Sequence, residues 1–483
     1  MAKVLLINPN KWGRGITHIW IASHSGILKK NNHKVKLFDS SFYLNWSHLE
    51  NKYNTDNKQY KPSNYNKIIN YNNKNIYQEL NNLVLDFQPD IIFWSALSSH
   101  IHGEGEYVNI ENGYELIKNI DHFNGIFVTG GLQATASPKK TLEEMNKINY
   151  LIMGESEIVL NQLANRIDEK RSINDLNGIC YFEKNNFMKN IRQRIISNLD
   201  DISPYDYSIF PNKNFIRPYN GEVVNAVDFE LSRGCIYSCA YCVETVIQDY
   251  YGFNEKSKNG AIKNAKSYLR NKSAKIAYEE ISNLYYNHKI ELFRCQDTNF
   301  LTIDRKMLNE LAILIEESNL EIKLYIETRP EGINSKSIEL LKKLKVDGVG
   351  MGVELSSEEF REDELNRYAS QSKTIEAFRL LKEANIKRTS YNVIGFPGQN
   401  EESIKNTIKF NQLLNPDNIT VAFYSPYQGT DVQKKGSDLG LFNDKQINVD
   451  GQLRSTTKDS KISIKILEYY KKNFNNLVRS NIV

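Results

Sequence analysis

The chain has 483 residues, of which 40% are apolar, and its 62 lysines and arginines nearly balance 58 aspartates and glutamates. That length implies two or three domains, and a net charge of +4 spread over it gives no electrostatic case for nucleic acid or an anionic membrane surface. No apolar run is long enough to cross a bilayer, and the opening "MAKVLLINPN" lacks the basic region and apolar core of a secretion signal, so a cytoplasmic protein is expected.

The first 165 residues alternate strand and helix signals. Lys3–Pro9 reads as a buried strand ending at Asn-Pro, residues 16–31 as a helix, and Lys34–Asp39 as the next strand. Residues 51–75, rich in asparagine, lysine and tyrosine, read as a long surface loop. "IYQELNNLVLDF" is a helix stopped by Pro89. Asp90–Leu97 and Gly125–Gly131 are strands, and Ile148–Glu157 is a fifth strand turning into a helix. Such alternation predicts a Rossmann-like, doubly wound parallel sheet over residues 1–165, with ligands beyond the carboxyl ends of its strands. Those ends carry small residues: Ser95, Gly130 with Gly131, and Gly154. They either make room for a broad ligand or only make tight turns. Residues 166–222, with Pro204, Pro211 and Pro218, read as a connector with a small hairpin around "GICYFEKNNFMKNI".

A second alternating series fills residues 223–435. Six strand signals, in "DFELSRG", "IELFRCQDTNF", "EIKLYIETRP", "GVGMGVELS", "RTSYNVIGFPG" and "NITVAFYSPYQGT", are separated by helical stretches. Six repeats are too few for a closed eight-fold barrel, so an open partial (β/α)6 barrel is expected. Residues 436–483 form a tail with one helix, "ISIKILEYYKKNFNNLV".

Cys235, Cys239 and Cys242 lie in "RGCIYSCAYC" at CxxxCxxC spacing, after the first strand of that series. Five clustered cysteines do not form a disulfide framework and fit a reducing compartment. Three thiolates on one loop can hold three corners of a cubane iron–sulfur cluster and leave the fourth iron open. A closed zinc site needs four ligands, and Cys180 and Cys295 are single and distant, with no histidine close behind the loop.

CxxxCxxC with Tyr241 before the last cysteine is the signature of radical S-adenosylmethionine (SAM) enzymes, and the chain resembles that family. The resemblance implies a 4Fe-4S cluster whose open iron is chelated by SAM, and reductive cleavage of SAM to a 5′-deoxyadenosyl radical. It also implies an external electron donor such as flavodoxin or ferredoxin. Further motifs follow in the family's order. "CQDTNF" would put Asp297 on the SAM amino group, and "ETRPEGI" would point Glu327 and Arg329 into the barrel. "GVGMGVELSS" would put Glu354 beside SAM, and "NVIGFPGQNEES" would lay the adenine on Gly395 and Gly398.

The N-terminal domain resembles the cobalamin-binding domain of the cobalamin-dependent subgroup, through "VTGGLQATASP" and "YLIMGESEIVLNQL". The resemblance makes Ser95, Gly130, Gly131, Gln133, Gly154 and Glu155 candidate cobalamin contacts. The DxHxxG motif that supplies a histidine to cobalt is absent, so His18 and His24 are expected to pack rather than ligate. The implied activity is methylation of a small-molecule or peptide substrate. The alternatives are a non-methylating reaction on the same cofactors (cyclisation, rearrangement or oxidation) and a non-catalytic cobalamin or redox sensor. A methylthiotransferase is disfavoured, since no cysteine precedes Cys180.

Overall fold

A computed structural model describes residues 1–48, 61–97, 106–440 and 462–480, with backbone only for 106–109. The first sheet has seven strands in the order β2-β1-β3-β4-β5-β6-β7. They are β1 (Lys3–Asn8), β2 (Lys34–Asp39), β3 (Ile91–Trp94), β4 (Ile126–Thr129), β5 (Tyr150–Ile152), β6 (Ile179–Glu183) and β7 (Asn186–Lys189). β1 to β5 are mutually parallel, and β6 and β7 add an antiparallel edge. The strands from β1 to β5 are the five read from the sequence. The hairpin assigned to a connector completes this sheet, because Leu151 and Ile152 of β5 pair with Cys180 and Ile179. The first structural unit therefore runs past residue 165. The helices α1 (Ile19–Lys30), α2 (Ile76–Phe87), α3 (Glu106–Lys118), α4 (Gly131–Ala136) and α5 (Glu157–Asp168) surround it. The part of the Asn-rich stretch that is described, residues 61–75, is anchored rather than loose. Tyr65 is fully buried, and its hydroxyl accepts from the Gly15 N–H at 3.0 Å.

The second sheet is a curled run of six parallel strands in chain order: β9 (Glu222–Phe229), β10 (Leu292–Cys295), β11 (Lys323–Thr328), β12 (Val346–Glu354), β13 (Lys387–Ile394) and β14 (Asn418–Phe423). This is the expected partial barrel. One antiparallel strand, β8 (Ile216–Tyr219), precedes it, so the sheet starts a few residues ahead of 223. The helices between strands are α6 (Glu244–Tyr251), α7 (Ala274–His288), α8 (Arg305–Ser318), α9 (Ser335–Lys343), α10 (Gln371–Glu383) and α11 (Glu401–Leu414). From α7 to α11, each is opened by a side chain that accepts from its first-turn N–H groups: Ser273, Asp304, Asn334, Ser370 and Asn400. Such caps contribute roughly 1 kcal/mol each and fix where each helix starts after its strand. The last helix, α12 (Ile464–Ser480), covers the open edge at β14 and α11 with Leu467, Tyr470, Phe474 and Val478. No helix among the described residues is long and apolar enough to cross a membrane.

The inner face of β12 carries Gly348, Gly350 and Gly352 in alternation. A side chain there has no room. A Cβ at Gly348 would lie 2.9 Å from the Tyr325 ring, at Gly350 2.4 Å from the Tyr391 hydroxyl, and at Gly352 2.3 Å from the Glu354 carboxylate. The glycines let large polar side chains from neighbouring strands cross the barrel interior.

Candidate functional site

The cysteine loop begins where the chain leaves β9. Ser232–Arg233 pairs with Arg270–Asn271, and Gly234 then turns with φ +94°, where a Cβ would come within 2.6 Å of the Tyr268 carbonyl oxygen. Gln248 of α6 donates to the carbonyls of Cys235 and Tyr237, both at 3.0 Å, and the Ser238 N–H donates to Gly260 O at 2.8 Å. The loop is thus pinned from both sides. Cys235, Cys239 and Cys242 all line one cavity of about 360 Å³. Burial, then the Glu244 carboxylate, pushes the Cys235 thiol up to about 12, and burial with the neighbouring thiols raises Cys242 as well. Thiols so placed ionise only if a cationic centre compensates them. Among the described residues, no three His, Cys, Asp or Glu side chains converge as ligands of a single metal ion. Three thiols lining one cavity are a donor set for three corners of a cubane cluster with one iron left open.

Around the sulfurs the cavity is polar. The Arg329 guanidinium lies 3.8 Å over the Tyr237 ring, with Nη1 3.8 Å from Cys239 Sγ, and Nε donates to Glu331 at 3.0 Å. Arg367 donates to the Gly352 carbonyl at 2.6 Å and lies 3.8 Å from Glu354. Glu354 sits at φ +61°, a strained conformation for a non-glycine residue, beside a register shift between β12 and β13. Deeper in, the Tyr391 hydroxyl lies 2.9 Å from Glu327 Oε1 and 2.8 Å from the Tyr325 hydroxyl, and Arg294 lines the wall. The N-terminal domain supplies Trp12 and Arg14 from the loop after β1. That loop is tied to the barrel where the Thr17 N–H and hydroxyl donate to Asp228 Oδ2, at 3.1 and 3.2 Å.

The structure thus brings Cys235, Cys239, Cys242, Tyr241, Glu327, Arg329 and Glu354 to one cavity. Other expected contacts fall elsewhere. Asp297 is fully buried behind the cavity wall, and its carboxylate faces the backbone of Leu231 and Ser232; Thr298 and Asn299 line the cavity instead. Gly395 and Gly398 have φ of +88° and +81° and build the turn after β13, outside the cavity lining. Phe396 between them meets the Tyr241 ring edge-to-face and packs at a tilt against Tyr424. The small residues at the strand ends of the first sheet are closed over. A Cβ at Gly131 would meet Ser95 Oγ at 2.8 Å, one at Gly130 would meet Ile152 O at 3.1 Å, and one at Gly154 would meet the Tyr251 hydroxyl of α6 at 2.4 Å. Gly131 and Gly154 have φ of +91° and +71° and Ser95 +61°, so tight turning and close packing account for them. Gln133 is half-buried on α4, away from the cavity. Glu155 is taken up by Arg270 at 2.8 Å and by the Ile196 N–H at 3.0 Å. His24 is buried, with Nε2 2.8 Å from Ser156 Oγ and its ring stacked on Phe93, and His18 precedes α1; neither lines the cavity.

Sequence reading missed Trp12, Arg14, Arg294, Arg367 and Tyr391. Only the glycine alternation of "GVGMG" hinted that bulky groups crossed the barrel there.

A buried charge network joins the two domains beside the loop. Arg233, two residues before Cys235, bonds Glu157 of α5 at 2.7 Å and Glu230 at 2.8 Å, and lies 3.7 Å from Glu155. The Ser23 hydroxyl donates to Glu157 at 3.0 Å.

A six-stranded partial barrel with three cysteines at its mouth defines a class. Residues 229–410 match the model of the radical SAM superfamily, so the partial barrel carries a radical SAM domain. It is 24% identical over 354 residues to a protein of Pyrococcus horikoshii named an uncharacterized methyltransferase, covering 73% of this chain and 71% of that one. It is 25% identical over 364 residues to the anaerobic magnesium-protoporphyrin IX monomethyl ester cyclase of Cereibacter sphaeroides, covering 73% of this chain but 54% of the cyclase. The radical SAM methyltransferase TsrM from Kitasatospora setae, whose structure holds cobalamin and a [4Fe-4S] cluster, superposes with a TM-score of 0.65 at 16% identity, over 91% of this chain and 75% of TsrM. The cobalamin-dependent SAM radical enzyme OxsB superposes with a TM-score of 0.59 at 15% identity, over 99% of this chain and 56% of OxsB. The two-domain fold is theirs.

Proposed function

We propose that the chain is a cobalamin-dependent radical SAM methyltransferase. The observation that carries this reading is one cavity walled by three cysteines of the barrel and by Trp12 and Arg14 of the N-terminal domain. The cluster and SAM would supply a 5′-deoxyadenosyl radical, and cobalamin would supply the methyl group. The donor set fits a cluster on Cys235, Cys239 and Cys242. For SAM, the positions facing the cluster are Arg329, Glu354 and Arg367, which offer charges of both signs to an amino acid group. The fit to cobalamin is uneven: the glycine ends of β4 and β5 are filled by their own chain. The part of the first sheet that reaches the cavity follows β1, which with β3 flanks the point where strand order reverses. That loop, and not the glycines, would hold the corrin.

The remaining residues serve geometry and exclusion of water. Tyr391 fixes Glu327, the glycines of β12 admit both to the interior, and Tyr241, Phe396 and Tyr424 form an apolar wall. The similarity to a cyclase supports a second reading, a non-methylating reaction on the same cofactors. Anaerobically reconstituted protein, given reductant and SAM, separates the two. Formation of both 5′-deoxyadenosine and S-adenosylhomocysteine is expected for the methyltransferase; 5′-deoxyadenosine alone favours the second reading, and neither product rejects both.

Two binding predictions follow from the cavity. Glu354→Ala should weaken SAM binding by about one to two decades, the size of one or two lost charge-assisted hydrogen bonds, and leave iron content unchanged. Equilibrium binding to the loaded protein measures this, and unchanged affinity would reject the assignment. Arg14→Ala should reduce cobalamin uptake by about tenfold while cluster iron stays at the parent level. Full uptake would move the corrin away from the β1 loop.

A further inference from the structure

We infer that Asp297 positions the cysteine loop by holding the two residues through which the chain leaves β9. The inference rests on the radical SAM reading, since it takes the loop as the seat of a cluster. The β9–β10 ladder ends where the Gln296 N–H donates to Phe229 O at 2.8 Å. Beyond that point the strands part, and Leu231 and Ser232 no longer face a strand backbone on this side. Asp297 supplies the acceptor in its place. Its Oδ1 receives the Leu231 N–H at 3.0 Å, the Ser232 N–H at 2.5 Å and the Ser232 hydroxyl at 2.6 Å. Ser232 stands three residues before Cys235, so these bonds set the direction in which the loop departs.

The carboxylate serves the chain: the donors to its Oδ1 are all from Leu231 and Ser232, and the side chain does not line the cavity. It is fully buried, and its second oxygen, Oδ2, has no hydrogen-bond partner. Burial lifts its pKa to about 7 in spite of the three donors, so the group is held there at a cost. Cavity access belongs to its neighbours Thr298 and Asn299. A carboxylate turned away from the cavity cannot contact SAM, yet its removal would leave two buried N–H groups unsatisfied at the root of the loop.

The test uses the full chain reconstituted anaerobically with iron and sulfide. It compares Asp297→Asn, which keeps an acceptor of the same reach, with Asp297→Leu, which has the same bulk and none. Asp297→Leu is expected to bind less than half the parent's iron, and its reduced cluster should show a changed electron paramagnetic resonance spectrum. Asp297→Asn is expected to restore iron and spectrum, with SAM affinity within about twofold of the parent. An Asp297→Leu protein with parent iron and spectrum would overturn the inference. So would a full cluster with SAM binding weakened about tenfold, which would make Asp297 a SAM contact. Where circular dichroism shows Asp297→Leu unfolded, Ser232→Ala removes one donor from the same oxygen: a changed cluster spectrum supports the role and the parent spectrum rejects it. Failure of the radical SAM reading is distinct, because the parent protein itself would then take up no iron.

Discussion

Cys235→Ala, Cys239→Ala and Cys242→Ala proteins, reconstituted anaerobically, are expected to retain almost no iron and to cleave no SAM, whereas Cys180→Ala and Cys295→Ala keep both. Each loop cysteine lines the cavity, and burial raises the Cys235 and Cys242 thiols, so that their thiolates need a compensating positive charge. With three ligands and one open iron, no spare donor can replace a lost one. Cys180 is different: it lies in the first domain's core with Sγ 3.4 Å from Met153 Sδ, and burial raises it to about 12 with no second thiol nearby to share a metal. Cys295 ends β10 on the far side of the sheet from the cavity, 2% exposed. Iron and sulfide analysis with visible spectra checks all five. A loop cysteine that proves dispensable, or an outlying one that proves essential, would overturn the ligand set.

Much of this was legible in the sequence because local signals agreed with the global fold. Strands such as Lys3–Asn8 and helices such as Ile76–Phe87 are marked by apolar patterning and by capping or breaking residues at their ends. Glu327 and Arg329 line the same cavity as the three cysteines, since strand-end residues can only point into the barrel or out of it. What failed was side-chain direction beyond the strands. "CQDTNF" places Asp297 next to the cavity in sequence, but the parting of β9 and β10 turns its carboxylate to orphaned backbone N–H groups. Glycine was the second ambiguity. Gly131 and Gly154 are required by positive φ and by Ser95 and Tyr251, and a ligand would ask for the same residue. Arg14 and Arg367 were invisible because their place depends on two domains meeting and on a loop after β12, neither of which leaves a periodic trace.

The junction between those domains carries the other large effect. Glu157 is wholly buried at the start of α5, and burial alone would raise its carboxyl; Arg233 and then His24 outweigh that and hold it at about 2. Against the ordinary value of 4.5, the depression is worth about 3 kcal/mol of folding stability. A depressed carboxylate stabilises the fold above its unfolded pKa and loses that contribution as pH falls through the folded one. The contribution is therefore complete at neutral pH and should fade between about pH 4.5 and 2. Glu157→Gln should cost about 3 to 5 kcal/mol near neutral pH in denaturant unfolding of the cluster-free protein, because Arg233 loses a buried partner. Its stability should then be flatter than the parent's across that acid window. Arg233→Met should cost more, since Glu157, Glu230 and Glu155 would face one another in a buried site without their shared cation. Adding Glu157→Gln to Arg233→Met should recover part of that loss, the mark of coupling between the pair. Additive costs in the double variant, or an unchanged acid slope in Glu157→Gln, would show that Arg233 and Glu157 do not join the N-terminal domain to the root of the cysteine loop.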